Sequence, residues 1–554
     1  MKKIVSLILS IILIVSVFAV PVANAEGKIV PEDKSKVPVI NIRGDGEPIV
    51  NKDGKEVLNL NFSELKFDGN TADKENVKES ILNVITLFIK EGLLTGKWDN
   101  YYAALQKEVG ELFGDALLDE NGNAVNGTDI TPNHRKAVEN SSRTNFKNAD
   151  GYYRNNGNSY RFWYDWRLDP MEIADELNDY IKSVKKATGE KKVALVGMCL
   201  GTNVVFAYLS KYGTDDICGV GIDGGISNGS DVLTKAITGH FSIDGDAINR
   251  FIFDVEAYSD SEVDDYVTDI IDYLQKSGTI GAATAGLKAT LYYRLVTGVT
   301  SALALSTCFT WPSYWAGIKE TDYETAKNYV FGPEGSEKRQ KYAGLIAKID
   351  NYDMNVRCRL PELLKSVKDA GGNLCILAKY GSQIFPITDD NTVLADQLVT
   401  VKDASFGATT TDILSEFDDN YMKKAEENGT AKYISPDKQV DASTCLYPDY
   451  SWFIKNASHT NWTHYEFNLL VTVSSADRQL TIDDTDLGQY MVFDNENRTM
   501  LKMTEENCNT YHFDTKQAKN DNKNFFTRFL AFFRSFMNIV TDIFKFINSK
   551  LEGK

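Results

Sequence analysis

Residues 192–201 constrain the possible fold more than any other stretch. Lys192-Val-Ala-Leu-Val196 reads as a short apolar strand, Gly197-Met-Cys-Leu-Gly201 as a tight turn, and Asn203 to Lys211 as a helix. A residue caught between a strand end and a helix start is held in a strained turn with its side chain presented. Glycines two positions to either side are needed because larger residues clash there. The presented residue is Cys199. The helix N-terminus behind it favours an anion, which biases a thiol at this point towards thiolate. The glycine spacing alone is weak; the strand before, the helix after and a reactive residue at the centre make it specific.

The flanking sequence repeats the same unit. Arg161 to Arg167 is a strand and its exit, and Asp169-Pro170 opens a helix with proline at its first position. That helix runs to about Ala187, with Ile173, Leu177, Tyr180, Ile181 and Val184 on one face, and Gly189 stops it. A further apolar strand, Ile217 to Ile222, ends in Gly224-Gly225. Strand, helix, strand, helix, strand predicts a parallel α/β sheet. Upstream, Val37 to Ile42 reads as a buried strand running into the turn Arg43-Gly44-Asp45-Gly46. Residues 61–97 and Tyr101 to Phe113 carry helical patterns, and 117–157 reads as loop.

From Ser227 to Gly344 the strand rhythm is lost, and a helical segment rich first in small and then in aromatic residues replaces it. Sheet rhythm resumes with a helix around Leu360 to Ala370, the strand Asn373 to Lys379, the strand Ser451 to Lys455 and a helix near Tyr465 to Val473. The expected organisation is a core in two parts, 36–226 and 345–475, with a helical cap insertion at 227–344 and a small strand-rich appendage at 476–515.

Both ends differ from this core. Lys2 and Lys3 precede an apolar run from Ile4 to Val22, and Ala23-Asn24-Ala25 offers the small residues a signal peptidase reads. Cleavage after Ala25 and export, to the extracellular space or the cell envelope, are expected. The other reading of the segment is an uncleaved anchor. Loss of the two lysines would take the net charge from −18 to −20, and such acidity argues against a nucleic-acid partner. At the other end, within 521–554, Phe525, Phe529, Phe532, Phe536, Ile539, Ile543 and Phe546 form one broad apolar helical face opposite Arg528, Arg534 and Lys545. Such an amphipathic helix either lies at a membrane surface or packs on its own domain or a partner helix. It does not span a membrane, because charges interrupt it.

Seven cysteines, none in a C-x-x-C pair, exclude zinc-ribbon and thioredoxin-like readings, and the odd count leaves at least one thiol unbridged in an exported chain. No motif demands a metal or an organic cofactor.

Phe162-Trp-Tyr-Asp-Trp-Arg-Leu-Asp-Pro170, a helix, and then Val193-Ala-Leu-Val-Gly-Met-Cys-Leu-Gly201 together resemble the lecithin:cholesterol acyltransferase family. Phe309-Thr-Trp-Pro-Ser313 is similar to the segment closing that family's cap, Ala395-Asp-Gln-Leu-Val399 to its acidic turn, and Ser458-His-Thr-Asn-Trp462 to its histidine segment. The resemblance spans residues 37–475 in patches. It implies an α/β-hydrolase fold and an acyl hydrolase or O-acyltransferase acting on lipid-like esters. Cys199 takes the nucleophile position, Asp396 the acid and His459 the base, in the nucleophile–acid–base chain order of that fold. The oxyanion hole would use the backbone N–H of Leu200 and one from the first turn, that of Asp45. Three positions depart from the family: Cys199 for serine, Gly201-Thr202 for Gly-Gly, and Arg43-Gly44 for His-Gly. A G-x-C-x-G elbow also resembles the polyhydroxyalkanoate synthases, whose intracellular setting fits a signal segment badly.

A thiolate is a better nucleophile than an alcohol at neutral pH, and histidine can activate it as it does serine. Only five histidines exist, so candidate bases are few. His464 is the rival to His459, and Asp389 and Asp390 are rivals to Asp396. The run Trp163 to Arg167 reads as structural, with its aromatics in the core and Asp165 placed to pair with Arg167. An aromatic cap over a nucleophile would suit an apolar substrate. The alternative function is a catalytically inactive, envelope-associated binding protein on the same scaffold.

Overall fold

The computed structural model describes residues 37–44, 48–58, 97–130, 159–242, 304–459, 463–494 and 499–508, with a few isolated positions between them. The expected signal segment, residues 61–90, Asp45 and the amphipathic helix expected within 521–554 lie outside the described residues.

Eight strands form the central sheet: β1 (Val39–Ile42), β2 (Ser159–Phe162), β3 (Val193–Met198), β4 (Ile217–Asp223), β5 (Asn373–Tyr380), β6 (Ser451–Lys455), β7 (Tyr490–Asp494) and β8 (Thr499–Lys502). Their spatial order is β8-β7-β6-β5-β4-β3-β1-β2. Every neighbouring pair is parallel except β7 and β8. Strands β1, β3 and β5 are buried along their whole length, which is what near-continuous apolar runs become when helices cover both faces of a parallel sheet. The chain has an α/β fold: a large, mostly parallel sheet flanked by helices.

The sequence signals for the elements are visible in their ends. Helix α1 (Pro170–Thr188) begins where the Asp169 carboxylate accepts the Met171 N–H and Pro170 sets the first turn. It ends at Gly189, in the left-handed region. Helix α2 (Gly201–Tyr212) follows the turn at Cys199, and α3 (Asp231–Thr238) is capped by Ser230. Helix α4 (Leu360–Asp369) leads into β5. Helix α5 (His464–Ser475) opens with a reciprocal capping box between Thr463 and Glu466. Its residues pack against Val196, Leu377 and Trp452 on one face of the sheet.

Of the expected small strand-rich appendage at 476–515, residues 476–494 and 499–508 are described. Its strands β7 and β8 continue the central sheet, β7 pairing in parallel with β6. The physical reason is the apolar run Tyr490-Met-Val-Phe493, which is buried along its length and needs cover that an isolated hairpin would not supply. Among the described residues of 227–344, the regular elements are all helical. No described helix is long and apolar enough to cross a membrane, and no disulfide joins the seven cysteines.

The run Trp163 to Arg167 is built into the core. Asp165 and Arg167 form a fully buried pair at 2.6 Å. Arg167 also donates to the Ala116 carbonyl and the Thr128 hydroxyl. Trp166 packs edge-on against Trp311, whose indole N–H donates to the same Ala116 carbonyl. These contacts fasten the 114–130 segment and the aromatic stretch around Trp311 to the strand exit. The Tyr164 hydroxyl reaches the Arg43 carbonyl and ties that exit to the first turn.

Candidate active site

Cys199 follows β3 and adopts φ 52°, in the left-handed region that non-glycine residues rarely occupy. Holding it there costs on the order of 1–3 kcal/mol, so the neighbours must over-determine the turn. Gly201 lets α2 approach β1: a Cβ there would lie 2.0 Å from the Ile42 carbonyl oxygen. At Gly197 a Cβ would meet Val205 at 2.8 Å. The Cys199 N–H donates to the Asp223 carbonyl at 3.1 Å. The Cys199 carbonyl accepts from both the N–H and the hydroxyl of Thr202. Thr202 thus has a physical role where the resembled family carries glycine. Ser227 joins the Thr202 hydroxyl to Asn203 and completes the brace.

Asp396 is fully buried in a turn after the small strand Leu394–Ala395. Its Oδ1 accepts the N–H groups of Leu398 and Val399, at 3.0 and 2.7 Å, and its Oδ2 lies 2.8 Å from His459 Nδ1. The Asp396 carbonyl also accepts the His459 N–H at 2.7 Å. His459 lies beyond β6, after Asn456 at φ 60°, and is 3 % exposed. Its ring sits over Gly224, where a Cβ would come within 3.3 Å of Cε1. Nε2 is buried and makes no hydrogen bond of regular geometry. Cys199 is nonetheless near enough to act on the protonation of this ring. Burial works against the imidazolium, and the charges of Asp396 and Cys199 outweigh it, so the pKa of His459 is raised well above that of an ordinary histidine.

The structure therefore brings together Cys199 and His459, which follow parallel strands of the central sheet, and Asp396, which follows the small strand Leu394–Ala395 in the segment between β5 and β6. The rival acids are elsewhere: Asp389 is exposed and paired with Lys235, and Asp390 is exposed. His464 is the first residue of α5. Leu200 caps α2, and no acceptor for its backbone N–H is found among the described residues. Gly44 of the first turn stands directly against this point. A Cβ there would lie 3.0 Å from Cys199 Cβ, 3.1 Å from its Sγ and 3.1 Å from the Leu200 nitrogen. Asp45, the expected second donor, lies outside the described residues.

No protein-family model and no curated protein matches the chain. Among solved structures, one titled the crystal structure of the Tle4-Tli4 complex is similar over 62 % of this chain and 75 % of its own, at 13 % identity and a TM-score of 0.25. So slight a likeness bears on neither activity nor substrate.

Sequence reasoning missed part of the surroundings. Lys379, Asp223 and Glu466 are fully buried close beneath His459. Two signals could have found them. Lys379 is a charge at the end of an otherwise apolar, doubly flanked strand, and Thr463-x-x-Glu466 is the pattern of a capping box. The described residues hold no cluster of three or more side chains suited to a metal ion.

Proposed function

We propose that the chain is an acyl hydrolase or O-acyltransferase acting on lipid-like esters through a Cys199–His459–Asp396 triad. The observation that carries this reading is the His459–Asp396 contact at 2.8 Å beside a cysteine held at φ 52° between a strand and a helix. The ionised Asp396 fixes the proton of the ring on Nδ1, which leaves Nε2 to serve the thiol.

In the first half-reaction His459 takes the thiol proton, and the Cys199 sulfur attacks the ester carbonyl carbon. The carbonyl oxygen gains the negative charge, and the Leu200 N–H and a donor from the Gly44 turn stabilise it. Collapse breaks the bond to the alkoxide, which leaves with the proton from His459, and the acyl group remains as a thioester on Cys199. In the second half-reaction His459 deprotonates water or an acceptor alcohol, whose oxygen attacks the thioester. The acid or new ester departs, and the thiolate recovers its proton. The missing side chain at Gly44 leaves space beside Leu200 N and Cys199 Sγ for this chemistry.

Export is part of the proposal and rests on the N-terminal segment with its Ala23-Asn24-Ala25 site. Membrane-surface contact rests on the amphipathic pattern at 521–554. The resemblance to the lecithin:cholesterol acyltransferase family supports the lipid-like substrate class.

The test is hydrolysis of chromogenic esters of short and medium chain length. Turnover by the wild type and its loss by a factor of roughly a thousand or more in Cys199→Ala are expected. Equal turnover by the two proteins would refute the mechanism. No turnover and no labelling by thiol-directed probes would favour the inactive binding scaffold.

A further inference from the structure

Three charged side chains beneath the site have no part in the mechanism above. Lys379 of β5, Asp223 of β4 and Glu466 of α5 are each fully buried. Lys379 Nζ lies 2.6 Å from Glu466 Oε1 and 3.4 Å from Asp223 Oδ1. It also donates to the His459 carbonyl at 3.3 Å. Desolvating such groups costs several kcal/mol per ion, and well-packed apolar residues of similar volume are often no worse for stability. Packing alone therefore explains the cluster poorly.

Each member is also tied to a different piece of the site. The Asp223 carbonyl holds the Cys199 N–H. Lys379 holds the His459 carbonyl, and Glu466 Oε2 accepts the N–H of Thr463, four residues along the chain from His459. The His459 main chain is thereby gripped from both sides, its N–H by the Asp396 carbonyl and its carbonyl by Lys379. One ammonium faces two carboxylates, so the trio is neutral when the acids retain one proton between them. Burial first, and then the neighbouring Asp223 charge, push Glu466 upward, against the opposing effect of Lys379.

We propose that Lys379 is a positioning residue for the proposed reaction: clamped between Asp223 and Glu466, it holds the main chain of His459 so that the imidazole stays between Asp396 and Cys199. This inference rests on the triad reading given above. The groups around the imidazole and the clamp are Cys199 on the β3–α2 turn, Asp396, Asp223 on β4, Lys379 and Cys375 on β5, and Glu466 on α5.

The experiment uses the full chain as wild type, Glu466→Gln, and the double variant Lys379→Met with Glu466→Gln, which removes one cationic and one acidic side chain from the trio together. Three quantities are measured: thermal unfolding, kcat and KM on a chromogenic ester, and the pH titration of His459 by NMR of 13C-labelled histidine. Five histidines give few signals, and His459→Gln assigns the one of interest. The expected result is a double variant that unfolds within a few degrees of wild type. Its kcat should be lower by about tenfold or more with KM within about threefold, and its His459 midpoint displaced by roughly half a pH unit or more. A folded double variant with wild-type kcat and wild-type His459 titration overturns the proposal. Should the double variant not fold, Glu466→Gln decides, since glutamine keeps an acceptor for Thr463 but loosens the clamp. A several-fold loss of kcat with a displaced midpoint supports the role, and no change in either overturns it. A wild type without Cys199-dependent turnover defeats the proposed function instead, and the His459 titration alone then decides the role of Lys379.

Discussion

Two residues test the site at the smallest scale. Asp396 gives both of its carboxylate oxygens to partners, so Asp396→Asn preserves shape while removing the charge that supports the imidazolium. A fall in kcat of roughly a hundred- to ten-thousand-fold at little-changed KM is expected in steady-state kinetics. The sign of the accompanying pH effect follows from its cause. The Asp396 charge raises the pKa of His459, so the variant imidazole must lose its proton at lower pH than in wild type. Gly201 is the second residue. A methyl group there would need space 2.0 Å from the Ile42 carbonyl oxygen, backbone that cannot swing aside. Gly201→Ala is expected to lose about 3 kcal/mol or more in denaturant unfolding; a variant as stable as wild type would mean that α2 and β1 are not packed as described.

At the scale of elements, the run from β2 through β4 was legible from its own sequence because each boundary carries a physical marker: Pro170 and Asp169 at the start of α1, Gly189 at its end, and glycines around Cys199. The N-cap of α1 also carries a cost. Burial raises the Asp169 carboxyl to about 6, against the effect of its hydrogen bond from Met171. A carboxyl raised in the native state contributes stability that is complete below its unfolded value and lost as pH rises through the native one. Above pH 6 the ionised form therefore costs about 2–3 kcal/mol. Asp169→Asn keeps a capping oxygen and is expected to raise the unfolding midpoint at pH 8 but not at pH 4. Equal effects at both pH values would contradict this. The strands after β5 were less legible. The places of β6 and β7 depend on long-range parallel pairing, which no local pattern encodes, and the antiparallel pair β7–β8 reads equally well as a hairpin apart from the sheet.

Across the whole molecule, the spacing of Cys199, Asp396 and His459 along the chain gives their order but not their convergence. That is produced by β3, β5 and β6 running parallel, so that the segments following their ends open on one side of the sheet. The charged layer beneath was not legible, because Asp223, Lys379 and Glu466 meet only when β4, β5 and α5 are packed together. The aromatic and ionic contacts around Arg167 then fasten the described part of the expected cap to this frame. The proposal that this assembly transfers acyl groups through sulfur is tested most directly by intact-protein mass spectrometry after rapid acid quench during turnover of a poor ester substrate. The expected result is a wild-type adduct of one acyl group, mapped to Cys199, released by neutral hydroxylamine as a thioester is, and missing from Cys199→Ala. Ester turnover that continues in Cys199→Ala, or an acyl adduct mapped to any other residue, would contradict it.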